Sequence, residues 1–327
     1  MSQSVNVNVV CITIIDFRLL NMETHFSNDY QIHNNNNDKK YDKPETTTSI
    51  GDVSKVVAWK KEFAVTSGGF SGVCVPIGFC VLRKSKKFVV SSTRENKVKI
   101  FNLDDGRFNK EVVFDGEEAE EGGSFCRPSD MVSLDQGGFA LRDRTRVMIF
   151  NEDGTFSHTV WKRSRSGSMC YGIAQDKQKL ICLVENRLKT SLHFVSIIDG
   201  QTLEEILLED DIFGGEKSKS KCRFLTLDDS GTIYVTDLGL NRVYIFEKIE
   251  GGEEFRYGVR IVGKGEGDGP GQFSDPAGVC VDGRGNWIVA DSKNNRLCMF
   301  SSGRKWLGNV QVALLLGIIV INSSQPN

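Results

Sequence analysis

Three pairs of side chains recur at one spacing: Asp291 with Arg296, Asp237 with Arg242, and Ser92 with Lys97. An oxygen acceptor and a cation so placed suit the two ends of a tight β-hairpin, where they pair or cap backbone groups and fix the register. A second reading fits the same spacing, in which the cation points away from the hairpin and touches an anionic ligand. Other chemistry is sparse. The four histidines (His25, His33, His158, His193) are scattered, and the nine cysteines include no Cys-x-x-Cys pair. Zinc needs paired Cys/His ligands at short spacing, so no metal site is readable and no cofactor is expected. The glycine-rich run from Gly263 to Gly271 lacks the Gly-Lys-Ser/Thr ending of a phosphate loop, and no helix follows it. It reads as a flexible entry to the next strand.

The elements that carry these residues repeat. The clearest unit has a small apolar strand from Gly278 to Val281 and a turn at Asp282 to Gly285. A second strand follows from Trp287 to Ala290, then a hairpin at Asp291 to Asn295 and a third strand from Leu297 to Phe300. Units of the same grammar begin at Pro76, Pro128 and Arg223, with a weaker one at Tyr171. The fourth strand of each unit follows a turn such as Asn151-Glu152-Asp153-Gly154. The spacing, roughly 45 to 55 residues, is that of one four-stranded propeller blade. A solenoid is the alternative, but long polar connections and four strands per repeat favour a closed all-β ring. Five units are visible and a sixth is not. Closure then falls either to a strand around Val56 to Trp59, or the chain is a shortened form of a longer protein.

Outside the repeats the chain is of different character. Residues 1–50 are polar, with Asn34 to Asn37 and Thr46 to Thr48 as runs, and are expected to be disordered. The propeller is expected over 55–309, and 310–327 form an apolar tail. The tail's run from Val312 to Ile321 is shorter than the ~20 residues that span a bilayer. The apolar run from Val9 to Ile15 lacks the flanks of a secretory signal. Cysteines inside apolar runs, such as Cys80 and Cys280, act as small reduced hydrophobes. A cytoplasmic setting is expected.

The stretch from Gly263 to Val279, followed by Val289 to Arg296, resembles an NHL repeat, and the other units resemble it with decreasing fidelity over about residues 60 to 305. Arg127-Pro128-Ser129-Asp130-Met131-Val132 is similar to the propellers of animal RING–NHL and tripartite-motif proteins. The resemblance implies a six-bladed NHL-type β-propeller that binds a protein partner or RNA in a ubiquitin-ligase or post-transcriptional pathway. Cys/His-dense RING and B-box modules are absent from this sequence, so the resemblance implies recognition and not ligase activity.

By the geometry of such propellers, the hairpin between second and third strands shares a face with the connection entering each blade. That face gathers Arg94, Lys97, Arg142, Arg144, Arg146, Arg163, Arg165, Lys219, Arg223, Arg242 and Arg296, while the opposite face is mostly acidic. The acidic run Glu117 to Glu121 also enters on the basic face and is expected to neutralise the first two blades in part, leaving the middle ones basic. A basic face on a chain of net charge -2 suits either an acidic protein or a phosphate backbone. The alternative is an enzyme of the lactonase or amidating-lyase kind with an axial metal. The inner strands offer no histidine for one, so a non-catalytic module is expected.

Overall fold

The computed structural model describes residues 9–16, 62–66, 76–114, 125–164, 167–186, 189–249, 256–282, 285–311 and 319–322. Its strands are β1 (Val9–Asp16) and β2 (Glu62–Thr66), followed by five four-stranded antiparallel blades and a last strand. Blade 1 comprises β3 (Pro76–Leu82), β4 (Lys87–Ser92), β5 (Lys97–Asn102) and β6 (Phe108–Val112). Blade 2 comprises β7 (Met131–Ser133), β8 (Phe139–Arg142), β9 (Arg146–Phe150) and β10 (Phe156–Lys162). Blade 3 comprises β11 (Met169–Asp176), β12 (Lys179–Glu185), β13 (Thr190–Ser196) and β14 (Thr202–Leu208). Blade 4 comprises β15 (Cys222–Leu227), β16 (Ile233–Asp237), β17 (Arg242–Ile249) and β18 (Arg256–Val262). Blade 5 comprises β19 (Pro276–Val281), β20 (Trp287–Asp291), β21 (Arg296–Phe300) and β22 (Trp306–Gln311), and β23 (Ile319–Asn322) ends the series.

The chain is an all-β propeller with five blades rather than the expected six. In place of a sixth four-stranded blade is a three-stranded sheet of order β2-β1-β23, in which β1 runs antiparallel to β2 and parallel to β23. β23 neighbours the inner strands β3 and β19, so both ends of the chain take part in closing the ring. The expected closing strand, Val56 to Trp59, lies outside the described residues. Within 1–50, β1 is a strand, and the other residues of that segment lie outside those described. The tail 310–327 likewise contains β23.

The middle strands form because both of their faces are covered. β8, β9, β16, β20 and β21 are apolar almost throughout, as strands sandwiched between neighbouring blades must be. The core therefore lies between blades: Val89, Val98 and Ile100 of blade 1 pack on Phe139, Met148 and Phe150 of blade 2, and the other seams follow suit. One aromatic pair recurs between the second and third strands. Phe88–Phe101, Phe139–Phe150 and Trp287–Phe300 are stacked at 5.1, 5.1 and 4.0 Å. Such cross-strand pairs contribute roughly 0.5–1.5 kcal/mol each beyond their buried area and fix the register.

Near the axis the blades approach within backbone contact. A Cβ built on Gly78 would lie 1.7 Å from the Ser129 carbonyl oxygen, so only glycine fits there. Ser91 seals the same seam, accepting from the Gly78 amide at 2.6 Å and donating to Ser129 O at 3.0 Å. Asp130 stands at the corresponding place in blade 2. Its carboxylate reaches into blade 3 and accepts the Ile173 amide at 2.8 Å, and Arg142 donates to Cys170 O at 2.7 Å across the same seam.

Candidate functional site

The hairpins after the second strand are organised by a buried carboxylate. Asp237 and Asp291 end a second strand and Asp143 directly follows one, and each accepts a backbone amide from the loop that enters its own blade. Those amides are Cys126 N at 3.1 Å, Lys221 N at 2.8 Å and Ser274 N at 2.6 Å. The hairpin thus clasps the incoming chain. An asparagine in left-handed conformation closes the hairpin in blades 1, 4 and 5, with φ of 56°, 53° and 48° at Asn96, Asn241 and Asn295. Asn96 and Asn241 also accept the amides of Arg127 and Asp275, which tie each hairpin to the loop entering the following blade. The sequence signal for these latches is an asparagine directly before Lys97, Arg242 and Arg296.

The expected pairs divide. Asp291–Arg296 is present at 2.7 Å, with Arg296 only 3% exposed. The Asp237–Arg242 pair is not formed. Tyr244 lies two residues along β17 and donates to Asp237 at 3.1 Å, while Gly239 N and Leu240 N fill the other oxygen. Arg242 turns instead to Glu216 at 3.5 Å. Ser92 and Lys97 also take separate partners, Glu95 and Glu111. A fourth pair, Asp143–Arg146 at 3.2 Å, falls outside the five-residue spacing because its hairpin is two residues shorter.

Two of the expected ligand contacts are therefore internal. Arg146 is 5% exposed and lies over the Phe114 ring at 4.3 Å. Arg296 donates to the carbonyls of Asp268, Gly269 and Gln272. It pins the glycine-rich run, which is anchored rather than the flexible entry expected.

The remaining cations fall into two groups. In blades 3 to 5 several are engaged: Lys219 and Arg242 with Glu216, Lys293 with Asp275, and Arg223 with Glu185 at 2.9 Å while stacked on Tyr171 at 3.8 Å; Lys189, Lys221 and Lys264 are exposed and make no ion pair among the described residues. The Lys219 ammonium bonded to Glu216 holds that carboxyl below its ordinary range. Four arginines on blades 1 and 2 and on the loop entering blade 3 stand otherwise. Arg94, Arg127, Arg144 and Arg163 are exposed, and among the described residues none of them makes an ion pair. Backbone bonds stitch their loops together: Arg127 N to Asn96 Oδ1 at 2.8 Å, Arg144 N to Cys126 O at 2.7 Å, and Arg163 N to Thr145 O at 2.7 Å. These four form an arc of free guanidinium groups. Of the cations expected to matter most, Arg144 and Arg163 are free, whereas Lys219 and Arg242 are engaged with Glu216. Arg165 and the acidic run Glu117 to Glu121 lie outside the described residues.

Among the described residues nucleophilic chemistry finds no ready constellation. Ser191, His193 and Glu205 meet, but the hydroxyl at 2.8 Å and the carboxylate at 3.6 Å approach the same ring nitrogen, Nε2. A catalytic triad needs them on opposite nitrogens. Burial lowers the His193 pKa even beside Glu205. His158 is taken up by Ser157 and by Ile197 O. Among the described residues no group of three His, Cys, Asp or Glu side chains is placed to hold a metal ion. At the opposite end of the axis, the first turns of the blades surround a funnel of about 840 Å³, whose lining includes Lys84, Asp135, Gln175, Lys177 and Asp229.

Residues 273–300, which form most of blade 5, match the NHL repeat family. No protein with a curated description is similar to this sequence. Among solved structures, hydrazine synthase of Kuenenia stuttgartiensis is 13% identical with a TM-score of 0.55, covering 80% of this chain and 79% of that one. A chain of the nidogen/laminin complex is 17% identical with a TM-score of 0.55, covering 77% and 84%. The β-propeller domain of Myceliophteria thermophila Cps50 (Swd1) is 11% identical with a TM-score of 0.52, covering 79% and 78%. At these identities the likeness extends to the fold alone. The chain is a β-propeller carrying an NHL repeat. No helix among the described residues is long and apolar enough to cross a membrane.

Proposed function

We propose that this propeller is a non-catalytic recognition module that binds an acidic segment of a partner protein. The observation that carries the reading is the arc of Arg94, Arg127, Arg144 and Arg163, exposed and without ion pairs among the described residues, on loops tied to one another by backbone hydrogen bonds. Free guanidinium groups on a fixed scaffold are pre-organised for carboxylates, which they meet in bidentate geometry. The seven described cysteines are free, which accords with a reducing, cytoplasmic setting. A ubiquitin-ligase or post-transcriptional context rests on the resemblance to RING–NHL proteins alone.

RNA is the weaker reading. Binding single strands calls for aromatic platforms beside the charge. Among the described residues, the exposed aromatic side chain is Phe108, on the outer strand β6 and away from the arc.

The test is fluorescence anisotropy with a labelled peptide of alternating Glu and Asp, beside a single-stranded RNA of scrambled sequence. Single Ala variants of the four arginines should each weaken peptide binding by about 2- to 5-fold, as partly exposed ion pairs do. Equal affinity of all four variants and the parent for the peptide would remove the reading. Tighter binding of RNA, with a salt slope that drops by about one per lost arginine, would transfer the arc to nucleic acid.

A further inference from the structure

The inner strands of blades 1 to 4 end at the mouth of the axial funnel, and each brings charge to it. Blade 1 contributes Lys84, blade 2 Asp135, blade 3 Asp176 and Lys177, and blade 4 Asp229. Two polar side chains fix these turns against one another. Glu152, from the turn between β9 and β10, accepts the Ser85 amide at 3.1 Å, the Ser85 hydroxyl at 2.9 Å and the Gly138 amide at 2.6 Å. It ties the turn of blade 1 to that of blade 2. Gln175 does the same for blades 2 and 3: its carbonyl oxygen accepts the Asp135 amide at 2.9 Å, and its amide group donates to Gln136 Oε1 at 3.4 Å and to Lys177 O. The rim is thus set before any ligand arrives, which lowers the cost of ordering it on binding.

The charged groups are left over from that bonding. Among the described residues the carboxylates of Asp135, Asp176 and Asp229 and the ammonium of Lys177 make no ion pair and no side-chain hydrogen bond. Lys84 spends one of its three N–H groups on Gln136 O at 3.1 Å and keeps two. Glu152, Asp228 and Arg83, also at the rim, are already engaged. Because β23 neighbours both β3 and β19, the ring runs through six sheets and blade 1 stands opposite blade 4. Lys84 and Asp229 therefore occupy opposite walls, with Asp135 and Asp176 on the wall between them. That wall is partly apolar, with Val132 and Leu227 half-buried on β7 and β15. At about 840 Å³ the space is within the range of small-molecule sites.

We propose that the funnel binds a short peptide with free termini and one basic side chain. The peptide carboxylate meets Lys84, and the terminal ammonium meets Asp229 on the opposite wall. Apolar side chains of the peptide lie on Val132 and Leu227, which supply contact area without charge. The unpaired carboxylates of Asp135, Asp176 and Asp229 outnumber the ammonium groups of Lys84 and Lys177, and the surplus negative charge suits a lysine or arginine side chain of the ligand. Like charge at the rim turns away a polyanion, so the acidic segment proposed for the arc is not a ligand here. The site is independent of the arginine arc at the other end of the axis.

The test is isothermal titration calorimetry of the full chain with the tripeptide Leu-Lys-Leu, beside its C-terminal amide, its N-acetylated form and Leu-Glu-Leu. Amidation and acetylation should each weaken binding by about 2- to 5-fold, and the acidic tripeptide should bind about tenfold more weakly, since attraction becomes repulsion. Lys84→Gln should weaken the free acid by the same factor as amidation and leave the amide unchanged. Asp229→Asn should weaken the free amine and leave the acetylated peptide unchanged, because each cycle then isolates one contact. Both side chains are exposed, so the two variants should melt with the parent by circular dichroism. No binding of Leu-Lys-Leu up to about 10 mM overturns the site. So does equal binding of the free and capped peptides, or a Lys84→Gln loss that is the same for acid and amide. Arg144→Ala should bind Leu-Lys-Leu as the parent does; a loss there would assign the peptide to the arc and overturn the funnel.

Discussion

Arg296 and Arg242 occupy equivalent hairpin positions, yet the structure gives them opposite weight, and this contrast yields a sharp prediction. Arg296 is buried, pairs with a fully buried Asp291 at 2.7 Å and bonds three loop carbonyls. Its removal leaves an uncompensated carboxylate in the interior and frees the glycine-rich entry to blade 5. Breaking a buried pair from one side costs about 3–5 kcal/mol. For a chain of this length that should lower the melting temperature by roughly 4–7 °C. Arg242 meets Glu216 at 3.5 Å with both side chains a quarter or more exposed, so Arg242→Ala should cost only ~0–1 kcal/mol. Circular dichroism melts of the two variants against the parent provide the measurement. Part of the loss in Arg296→Ala should return in the double variant Asp291→Asn with Arg296→Met, which removes both charges. Equal losses in Arg296→Ala and Arg242→Ala would refute the assignment of Arg296 as the internal anchor.

Further outcomes follow from other parts of the ring. Burial pushes the Asp130 carboxyl up from 3.8 to about 6, against the opposing pull of the Ile173 amide, Arg142 and the Met131 amide. The folded state therefore holds this proton more tightly than the unfolded chain, and stability from this group is lost as pH rises from about 4 through about 6. Denaturant titrations should show Asp130→Asn gaining on the parent across that window; a flat difference contradicts it. Gly78→Ala drives a Cβ to 1.7 Å from Ser129 O, so it should open the seam between blades 1 and 2 and cost several kcal/mol by urea unfolding, on the order of an overpacked core. Deleting residues 1–16 removes the strand that joins β2 to β23. The shortened chain should expose sheet edges and aggregate, read by light scattering, whereas an unchanged monomer would assign closure elsewhere.

Much of the fold was legible because a propeller blade repeats its grammar. The apolar second and third strands, the turn after Val281 and the hairpin at Asp291 to Asn295 all lie where the sequence puts them. Closure was not legible, because β1 and β23 pair strands from opposite ends of the chain, and no local signal reports a contact of that range. The site was legible in type and less so in detail. A fixed five-residue spacing finds Asp291–Arg296, but it cannot register that Tyr244 displaces Arg242 from Asp237. Nor can it register that a shortened hairpin brings Arg146 to Asp143. Which cations stay free depends on neighbours from other blades, such as Glu216 and Glu185, and those contacts exist only in the folded ring.

The central claim is that the four-arginine arc, and not the funnel at the other end of the axis, receives the acidic ligand. Anisotropy titrations of the Glu/Asp peptide against two folded variants test it most directly. One carries Arg94, Arg127, Arg144 and Arg163 all changed to Ala; the other carries Lys84→Ala and Lys177→Ala in the funnel. The account predicts that the first loses binding by about 15-fold or more while the second matches the parent, since exposed pairs on one surface add to within a factor of a few. Retained binding in the arc variant, with loss in the funnel variant, would contradict it.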